Sequence, residues 1–307
     1  METRYASVSL TGRRHAENGN EDSFLTMDLG NGWYAFSVLD GISSLNDGHA
    51  TSCLAGRYIE NYLKSFKPGD GSIKAYLCQL VFQVQQAALS TQKEDHPSGT
   101  TLTLCLLDNN TDTLHIVHIG DSPILCIHQD AIYPLTVEDD IVDPRNGQVR
   151  LAKYIGQPRP IDESTLYSTT HLHDGDKLII CTDGLTNPFK GEERALMQMA
   201  HTVNGLEDVA ENLAKTAQQL GTDDVTLIVV DYHSCKIGNH IESNRDTVII
   251  NNQARPKTTI ILLWIAIAFL LGVMSSYVIL RPLSSRRSFS QELKTSNLFQ
   301  YEIESQN

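Results

Sequence analysis

The spacing of apolar positions changes in blocks along residues 1–232, and each block predicts one kind of element. The run "GWYAFSVLD", residues 32–40, is almost continuously apolar, which is typical of a buried strand. In "NDGHATSCLAGRYIENYLKSF", residues 46–66, apolar side chains recur every three or four positions and predict an amphipathic helix. The segment "SIKAYLCQLVFQVQQAALS", residues 72–90, repeats that spacing and predicts a second helix.

Strand-like runs dominate the part of the chain that follows. Three of them, separated by polar turns, are "TTLTLCLL" at 100–107, "TLHIVHIGD" at 113–121 and "PILCIHQ" at 123–129. The last third then predicts a strand, two helices and a closing strand in "DKLIICTD" at 176–183, "EERALMQMAHTV" at 192–203, "LEDVAENLAKTAQQL" at 206–220 and "DDVTLIVVDY" at 223–232. This order is α+β rather than alternating, and it predicts sheets packed between layers of helices.

The C-terminal region has a different pattern. Residues 233–257 are polar and rich in asparagine, and we interpret them as a linker. Residues 258–280, "TTIILLWIAIAFLLGVMSSYVIL", carry no charge and at about 1.5 Å per residue are long enough for a helix to cross a bilayer core of about 30 Å. The sequence therefore predicts four parts: a main domain at 1–232, the linker, one transmembrane helix at 258–280 and a short tail at 281–307.

Two signals bear on the orientation of that span. Arg281, Arg286 and Arg287 follow it, whereas Arg255 and Lys257 precede it, and this small excess favours a cytoplasmic tail. The N-terminal segment has no apolar core and so does not resemble a signal peptide. Because translocating a folded domain without a signal peptide would need special machinery, we give the second observation more weight. We expect a single-pass membrane protein, in the inner membrane if the source is bacterial, with the large domain in the cytoplasm.

Charge and cysteine content narrow the classes of function. The chain has 24 basic and 37 acidic residues, a net charge of -13. Six of the basic and three of the acidic residues follow Ile250, which leaves a net of -16 on residues 1–250. A body this acidic has no general attraction to nucleic acid. The six cysteines show no CxxC spacing, so neither a zinc site built from cysteines nor a disulfide framework is expected.

Carboxylates recur where the predicted strands begin or end, at Asp40, Asp121, Asp183 and at the pair Asp223 and Asp224, and one more, Asp22, follows "NGNE" near the N-terminus. Each one alone could form a turn or cap a helix. Gathered at one edge of a sheet, however, they would repel one another unless a cation held them. Carboxylates without histidine or cysteine partners suit hard cations such as Mg²⁺ or Mn²⁺.

The order of motifs also resembles a known family. The segments, in chain order, are "NEDSF", "VLDGISS", "SGTTLTLCLL", "HIGDSPIL", "YIG", "HDGDKLIICTDGLTN" and "TDDVTLIVV". Their order and spacing are similar to those of the type 2C metal-dependent Ser/Thr protein phosphatases, bacterial branch, over about residues 5 to 232. The resemblance implies a four-layer α-β-β-α sandwich, in which two antiparallel sheets are flanked by pairs of helices.

The resemblance also implies roles for individual residues. Asp40 would bridge two ions, Mn²⁺ or Mg²⁺, and the carbonyl of Gly41 would bind one of them. Asp183 and Asp223 would be further direct ligands, and Asp22 would act through bound water. Asp121 would share a weaker third ion with Asp183. Two such ions would activate a water molecule for attack on a phosphoserine or phosphothreonine of a protein, the target of a Ser/Thr kinase.

Several positions depart from the family pattern. Glu17 stands where the family has a phosphate-binding arginine, so Arg14, in a loop that has gained about three residues, becomes the candidate clamp. Further differences are Ser43 and Ser44 for glycines, Pro123 for arginine, Asn187 for aspartate and Asp224 for asparagine. Ile42 leaves no general-acid histidine after the Asp-Gly pair, and we interpret His118 as structural. The alternatives to a membrane-anchored phosphatase are a weakly catalytic, metal-binding scaffold or regulatory pseudophosphatase, and a phosphatase dedicated to one signalling partner.

Overall fold

Two five-stranded antiparallel sheets lie at the centre of the computed structural model, which describes residues 3–45, 47–93, 96–142, 144, 145, 147, 149–201 and 205–234. The first sheet has the order β1 (Arg4–Leu10), β12 (Val225–Asp231), β11 (Lys177–Cys181), β6 (Ile124–His128), β7 (Ala131–Pro134). The second has the order β10 (Tyr167–His171), β5 (Thr113–Ile119), β4 (Leu102–Asp108), β3 (Trp33–Leu39), β2 (Ser23–Gly30). A separate two-stranded ribbon consists of β8 (Asp140–Val142) and β9 (Val149–Leu151).

Helices cover the outer face of each sheet. The pair α1 (Gly48–Leu63) and α2 (Ile73–Thr91) packs on the second sheet, and α4 (Glu193–Ala200) and α5 (Leu206–Leu220) pack on the first. One more short helix, α3 (Asp183–Thr186), begins at a candidate site residue. The predicted α+β, four-layer sandwich with two antiparallel sheets and flanking helix pairs is confirmed.

Strand β3 shows why its sequence is almost continuously apolar. Successive side chains of a strand point to opposite faces of its sheet. Ala35 and Leu39 therefore lie in the core shared with α1 and α2, whereas Phe36 and Val38 lie in the core between the two sheets. All four side chains are fully buried. A third core, between the first sheet and α5, includes Leu213.

Every inner strand of both sheets was predicted, and the edge strands β1, β2, β7 and β10 and the ribbon β8–β9 were not. The four edge strands are partly exposed along much of their length. Residues 235–257 of the predicted linker, the predicted transmembrane helix at 258–280 and the tail at 281–307 lie outside the described residues. Among the residues that are described, no helix is both long enough and apolar enough to cross a membrane.

Candidate active site

The end of β3 fixes the backbone of Asp40 from two sides. Its amide N donates a hydrogen bond of 2.9 Å to the hydroxyl of Thr101, and its carbonyl accepts from the amide N of Thr101 and from the hydroxyl of Thr100. The Thr101 hydroxyl also lies 2.8 Å from that of Ser122, the residue after Asp121. This network connects the backbone of Asp40 to the turn that carries Asp121.

Gly41 is confined by two neighbouring backbone segments. A Cβ atom at this position would lie 2.5 Å from the carbonyl oxygen of Glu21 and 2.6 Å from the carbonyl carbon of Gly48. Any side chain would therefore displace either the loop before β2 or the first turn of α1. The glycine after Asp40 is required by packing, in addition to the ligand role that the resemblance implies.

Register between β11 and β12 brings the other acidic residues to the same place. Cys181 pairs with Leu227, and the amide N of Thr182 donates 2.9 Å to the carbonyl of Thr226. Asp183 therefore follows β11 beside the start of β12, where Asp223 and Asp224 lie. The hydroxyl of Thr182 donates 3.0 Å to Asp22 Oδ2, and a Cβ on Gly184 would lie only 1.8 Å from the Asp224 carbonyl oxygen.

The pKa values of four carboxyl groups show that these residues act on one another. Burial raises the pKa of Asp40 well above its ordinary value, and the negative charges of Asp22, Asp183, Asp121 and Asp223 raise it further. Burial also raises the pKa of Asp22 to about 8 and that of Asp121 to about 7, with Asp183 adding repulsion to both. The pKa of Asp183 is raised by burial and by Asp223. The structure thus brings the five predicted carboxylates into one electrostatic cluster.

The donor set of this cluster fits hard divalent cations. Buried carboxylates that repel one another are stabilised by a positive charge between them, and oxygen donors suit Mg²⁺ or Mn²⁺. Within the described part of the chain, no three of these carboxylates bring oxygens within 4.8 Å of one another.

A cleft of about 270 Å³ opens beside two of the candidate ligands, and the ribbon β8–β9 contributes to its wall. Polar residues that line it are Asp121, Glu138, Asp140, Asp183, Asn187 and Lys190. Glu138 and Asp140 add to the repulsion that raises the pKa of Asp121, whereas Lys190 lowers the pKa of Asp183. Glu138, Asp140 and Lys190 were not predicted from the sequence as part of the site.

Two neighbouring arginines, Arg13 and Arg14, make different contacts. The Nη1 atom of Arg14 lies 3.2 Å from Asp223 Oδ2, and its side chain is half-exposed. Arg13 instead donates 2.8 Å to the carbonyl of Gly221, just beyond the C-terminus of α5, where backbone carbonyls lack helical partners. The structure therefore places Arg14, and not Arg13, at the edge of the carboxylate cluster.

His15 and Asp224 form a buried centre that sequence reasoning missed. Asp224 accepts hydrogen bonds of 2.7 Å each from the amide N of Gly12, the amide N of Glu21 and Nδ1 of His15. The other ring nitrogen of His15, Nε2, lies 3.1 Å from the hydroxyl of Ser43. The departures at 43 and 224 are thus parts of one network that holds the arginine loop against the residues after Gly41.

Two other sequence interpretations have a structural counterpart. The side-chain amide of Asn187 donates 2.7 Å to Asp183 Oδ2, so this departure adds a hydrogen bond where the family has a charge. Nδ1 of His118 lies 2.8 Å from the Thr103 hydroxyl, and burial lowers the pKa of the imidazole. The hydrogen bond between the ring and Thr103 on the neighbouring strand supports the structural interpretation of His118.

Comparison with known families gives one match over most of this domain. A family model described as protein phosphatase 2C matches residues 11–221, more than half of the 307-residue chain. The motif resemblance over about residues 5 to 232 covers the same region.

Two curated proteins are similar in sequence. The serine/threonine protein phosphatase PstP of Mycobacterium tuberculosis strain H37Rv is 26% identical over 246 residues, which cover 74% of this chain and 45% of PstP. The protein phosphatase PhpP of Streptococcus pneumoniae strain D39 is 30% identical over 148 residues, which cover 43% of this chain and 57% of PhpP. The chain thus spans about half the length of the curated relatives it matches.

A solved structure has the same fold. The crystal structure of the catalytic domain of PstP in complex with two manganese ions superposes with a TM-score of 0.61 at 23% identity, covering 75% of this chain and 97% of that domain. The likeness shows the sandwich architecture.

Proposed function

The chain belongs to the protein phosphatase 2C family, and we propose that it is a protein-serine/threonine phosphatase that requires Mn²⁺ or Mg²⁺. Its relatives PstP and PhpP are named protein phosphatases, and the PstP domain was solved with two manganese ions. The substrate would be a phosphoprotein carrying phosphoserine or phosphothreonine, the product of a Ser/Thr kinase. The proposal assigns two ions to the carboxylate cluster and a weaker third ion to the cleft at Asp121.

The observation that carries this proposal is the convergence of carboxylates at Asp40. Asp22, Asp183, Asp121 and Asp223 all lie close enough to raise the pKa of its carboxyl group. Without a cation, each ionised carboxylate of such a cluster destabilises the others. Bound divalent ions would supply the opposing charge and the activated water on which phosphate ester hydrolysis depends.

Residues of this chain would hold the ions and the substrate in place. Asp40 and Asp183, with Asp22, Asp223 and the carbonyl of Gly41, would be the ligands of the two-ion centre. The Thr182 hydroxyl fixes Asp22 by hydrogen bonding to Oδ2.

Arg14 would bind phosphate oxygens at the edge of this centre. Its guanidinium lies beside Asp223 and keeps donors in addition to the one that faces the carboxylate. Arginine suits this task because its planar fork binds two oxygens at once. A departing serine or threonine oxygen would take its proton from water, because Ile42 occupies the position of the general-acid histidine that some eukaryotic relatives have.

Membrane attachment through residues 258–280 is a separate proposal, supported by the uncharged apolar run in the sequence. It places the phosphatase domain in the cytoplasm, facing phosphoproteins near the membrane. Carbonate extraction of membranes from cells that express the full chain tests it. Retention of the full chain in the pellet, with release of a chain that lacks 258–307, is expected. Recovery of the full chain in the supernatant would refute the anchor.

Hydrolysis of p-nitrophenyl phosphate and of a phosphothreonine peptide tests the activity. We expect turnover with Mn²⁺ or Mg²⁺, none with EDTA and none in the Asp183→Asn variant. The exposed Asp130→Asn serves as the matched control, because it removes a carboxylate in the turn between β6 and β7. Metal binding without turnover on either substrate would instead favour a regulatory scaffold. The position of Arg14, displaced from the place of the family's arginine, supports that hypothesis.

A further inference from the structure

A second group of metal-binding side chains lies outside the candidate active site. His128 ends β6, and His173 and Asp176 lie in the loop before β11. One ligand atom from each of the three residues lies within 4.8 Å of those of the other two. In the part of the chain that the structure describes, no other set of histidine, cysteine and acidic side chains comes this close together.

The carboxylate of Asp176 is the fixed point of this group. It is almost fully buried, and its Oδ2 atom accepts 2.8 Å from the backbone N of His173. Nδ1 of His128 lies 2.6 Å from Oδ1, and Nδ1 of His173 lies 3.7 Å from Oδ2. The two imidazole rings pack with centroids 4.8 Å apart.

Access and spacing suit a metal ion. The side chains of His128 and His173 are 33% and 68% exposed, so an ion can reach them from solvent. In a tetrahedral site with bonds of about 2.0 Å, neighbouring ligand atoms lie roughly 3.3 Å apart. The two Nδ1–oxygen distances, 2.6 Å from His128 and 3.7 Å from His173, lie on either side of that spacing. Both imidazoles therefore face one carboxylate at distances close to those between ligands of a single ion.

The donor chemistry of this group differs from that of the active site. Two imidazoles and one carboxylate favour Zn²⁺ over Mg²⁺ or Mn²⁺, which prefer oxygen ligands. We propose that His128, His173 and Asp176 form a zinc site with three protein ligands and one position left for water. This inference does not depend on the phosphatase activity.

The zinc site would lie far from the carboxylate cluster. In the antiparallel pair of β6 and β11, Lys177 is opposite Ile127 at one end and Ile180 is opposite Ile124 at the other. His128 and Asp176 lie at the end of the pair where Lys177 is opposite Ile127. Asp121 and Asp183 lie beyond the other end. At about 3.3 Å per strand residue, the two sites are separated by roughly 20 Å. A zinc ion would therefore join β6 to the loop before β11 and stabilise the first sheet.

Zinc titration of the full chain tests the proposal, with excess Mg²⁺ present so that the carboxylate cluster is occupied. We expect one Zn²⁺ per chain, together with a rise in the melting temperature. His173→Ala should weaken binding at least tenfold and abolish the thermal shift. The matched control is His171→Ala, which removes an exposed histidine of β10 outside the group and should bind like the wild type.

Cobalt absorption provides a second measurement, which reports the ligands of the bound ion directly. Four-coordinate Co²⁺ bound by imidazole absorbs more strongly than Co²⁺ in a water-rich oxygen site. We expect that band in the wild type and in His171→Ala, and its loss in His173→Ala and in the more conservative His128→Gln. Equal zinc affinity in His173→Ala and the wild type, or no zinc binding above the Mg²⁺ background, would overturn the proposal.

Discussion

Nδ1 of His15 lies 2.7 Å from Oδ2 of Asp224, and both side chains are buried although 209 positions separate them in the sequence. The carboxylate also accepts hydrogen bonds from two backbone amides of the loop that carries the arginines. Three donors converge on the two oxygens, an arrangement that suits an ionised carboxylate better than an amide. This pair fixes the arginine loop beside the start of β12.

Asp224→Asn should therefore destabilise the protein, although asparagine is the usual residue of the family at this position. The amide nitrogen of asparagine is a donor, and it would face either the Gly12 N–H or the donors that meet Oδ2. We expect a loss of about 2 kcal/mol in the free energy of unfolding, the range for a buried polar group left without its partner. Urea denaturation with excess Mn²⁺ measures it, and Asp130→Asn should change stability by less than about 0.5 kcal/mol. Equal midpoints for both variants would show that a neutral acceptor suffices.

Substitution of Arg14 should weaken substrate binding, whereas substitution of Arg13 should lower the stability of the protein. Arg14→Ala removes the guanidinium beside Asp223 and should raise the Michaelis constant for a phosphothreonine peptide about tenfold, with a smaller effect on kcat. Arg13→Ala removes the donor to the carbonyls of Gln219 and Gly221 at the C-terminus of α5. This variant should have a lower melting temperature and an unchanged Michaelis constant. Steady-state kinetics of both variants measures the Michaelis constant, and thermal unfolding measures the melting temperature. A Michaelis constant that changes only in Arg13→Ala would move phosphate binding to the other arginine.

Most of the fold could be predicted from the sequence because the inner strands are buried on both faces. The run that became β3 is almost continuously apolar since Leu39 and Phe36 lie in different cores. Edge strands lack this signal. In β10, "YSTTH", three of the five residues are exposed, and its polar sequence does not differ from that of a loop. The same physical cause explains why β1, β2 and β7 escaped prediction.

Most of the candidate ligands could be predicted because they adjoin a recognisable strand, whereas Asp22 precedes β2, an edge strand without such a signal. Asp40 and Asp183 follow apolar runs and precede glycines, a local pattern that a sequence displays directly. The pairing of His15 with Asp224 depends on how β12 packs against a distant loop, and no local pattern records it. Glu138, Asp140 and Lys190 reach the cleft through the ribbon β8–β9 and the segment after α3, whose positions are set by tertiary packing. The unusual aspartate at 224 is the one local signal of this pairing.

Asn187 should reduce the extent to which the stability of the protein depends on bound cations. Its side-chain amide donates to Asp183 and lowers the pKa of that carboxyl. Asn187→Asp would replace a donor with a second negative charge at hydrogen-bond distance, so the metal-free protein should become less stable. We expect a larger rise in melting temperature on addition of Mn²⁺ than in the wild type. Asn187→Ala, which removes the hydrogen bond without adding charge, is the control, and an equal Mn²⁺ response in both variants would contradict the charge argument.

Asp40→Asn should abolish activity and yet stabilise the protein when no metal is bound. The folded-state pKa of Asp40 is raised well above its ordinary value, and that of Asp22 is raised to about 8. A carboxyl with a raised pKa contributes stability that is fully present below its unfolded value near pH 4 and is lost as the pH rises toward the folded value. The loss is about 1.4 kcal/mol per pH unit for each group that stays protonated only in the folded state. In EDTA, the wild type should therefore become less stable from pH 5 to pH 8.

The variant lacks the carboxyl at the centre of this repulsion, so its advantage over the wild type in EDTA should grow with pH. At pH 8 we expect its melting temperature to be higher by at least about 2 °C, the shift that ~1 kcal/mol produces in a domain of this size. Mn²⁺ should reverse the order, because the ion stabilises the complete carboxylate cluster of the wild type and binds the variant weakly. Thermal unfolding at pH 5 and pH 8, with EDTA or with excess Mn²⁺, gives all four comparisons. A variant that is less stable than the wild type in EDTA at pH 8 would mean that Asp40 stabilises the fold by itself, and the cluster would then need no cation.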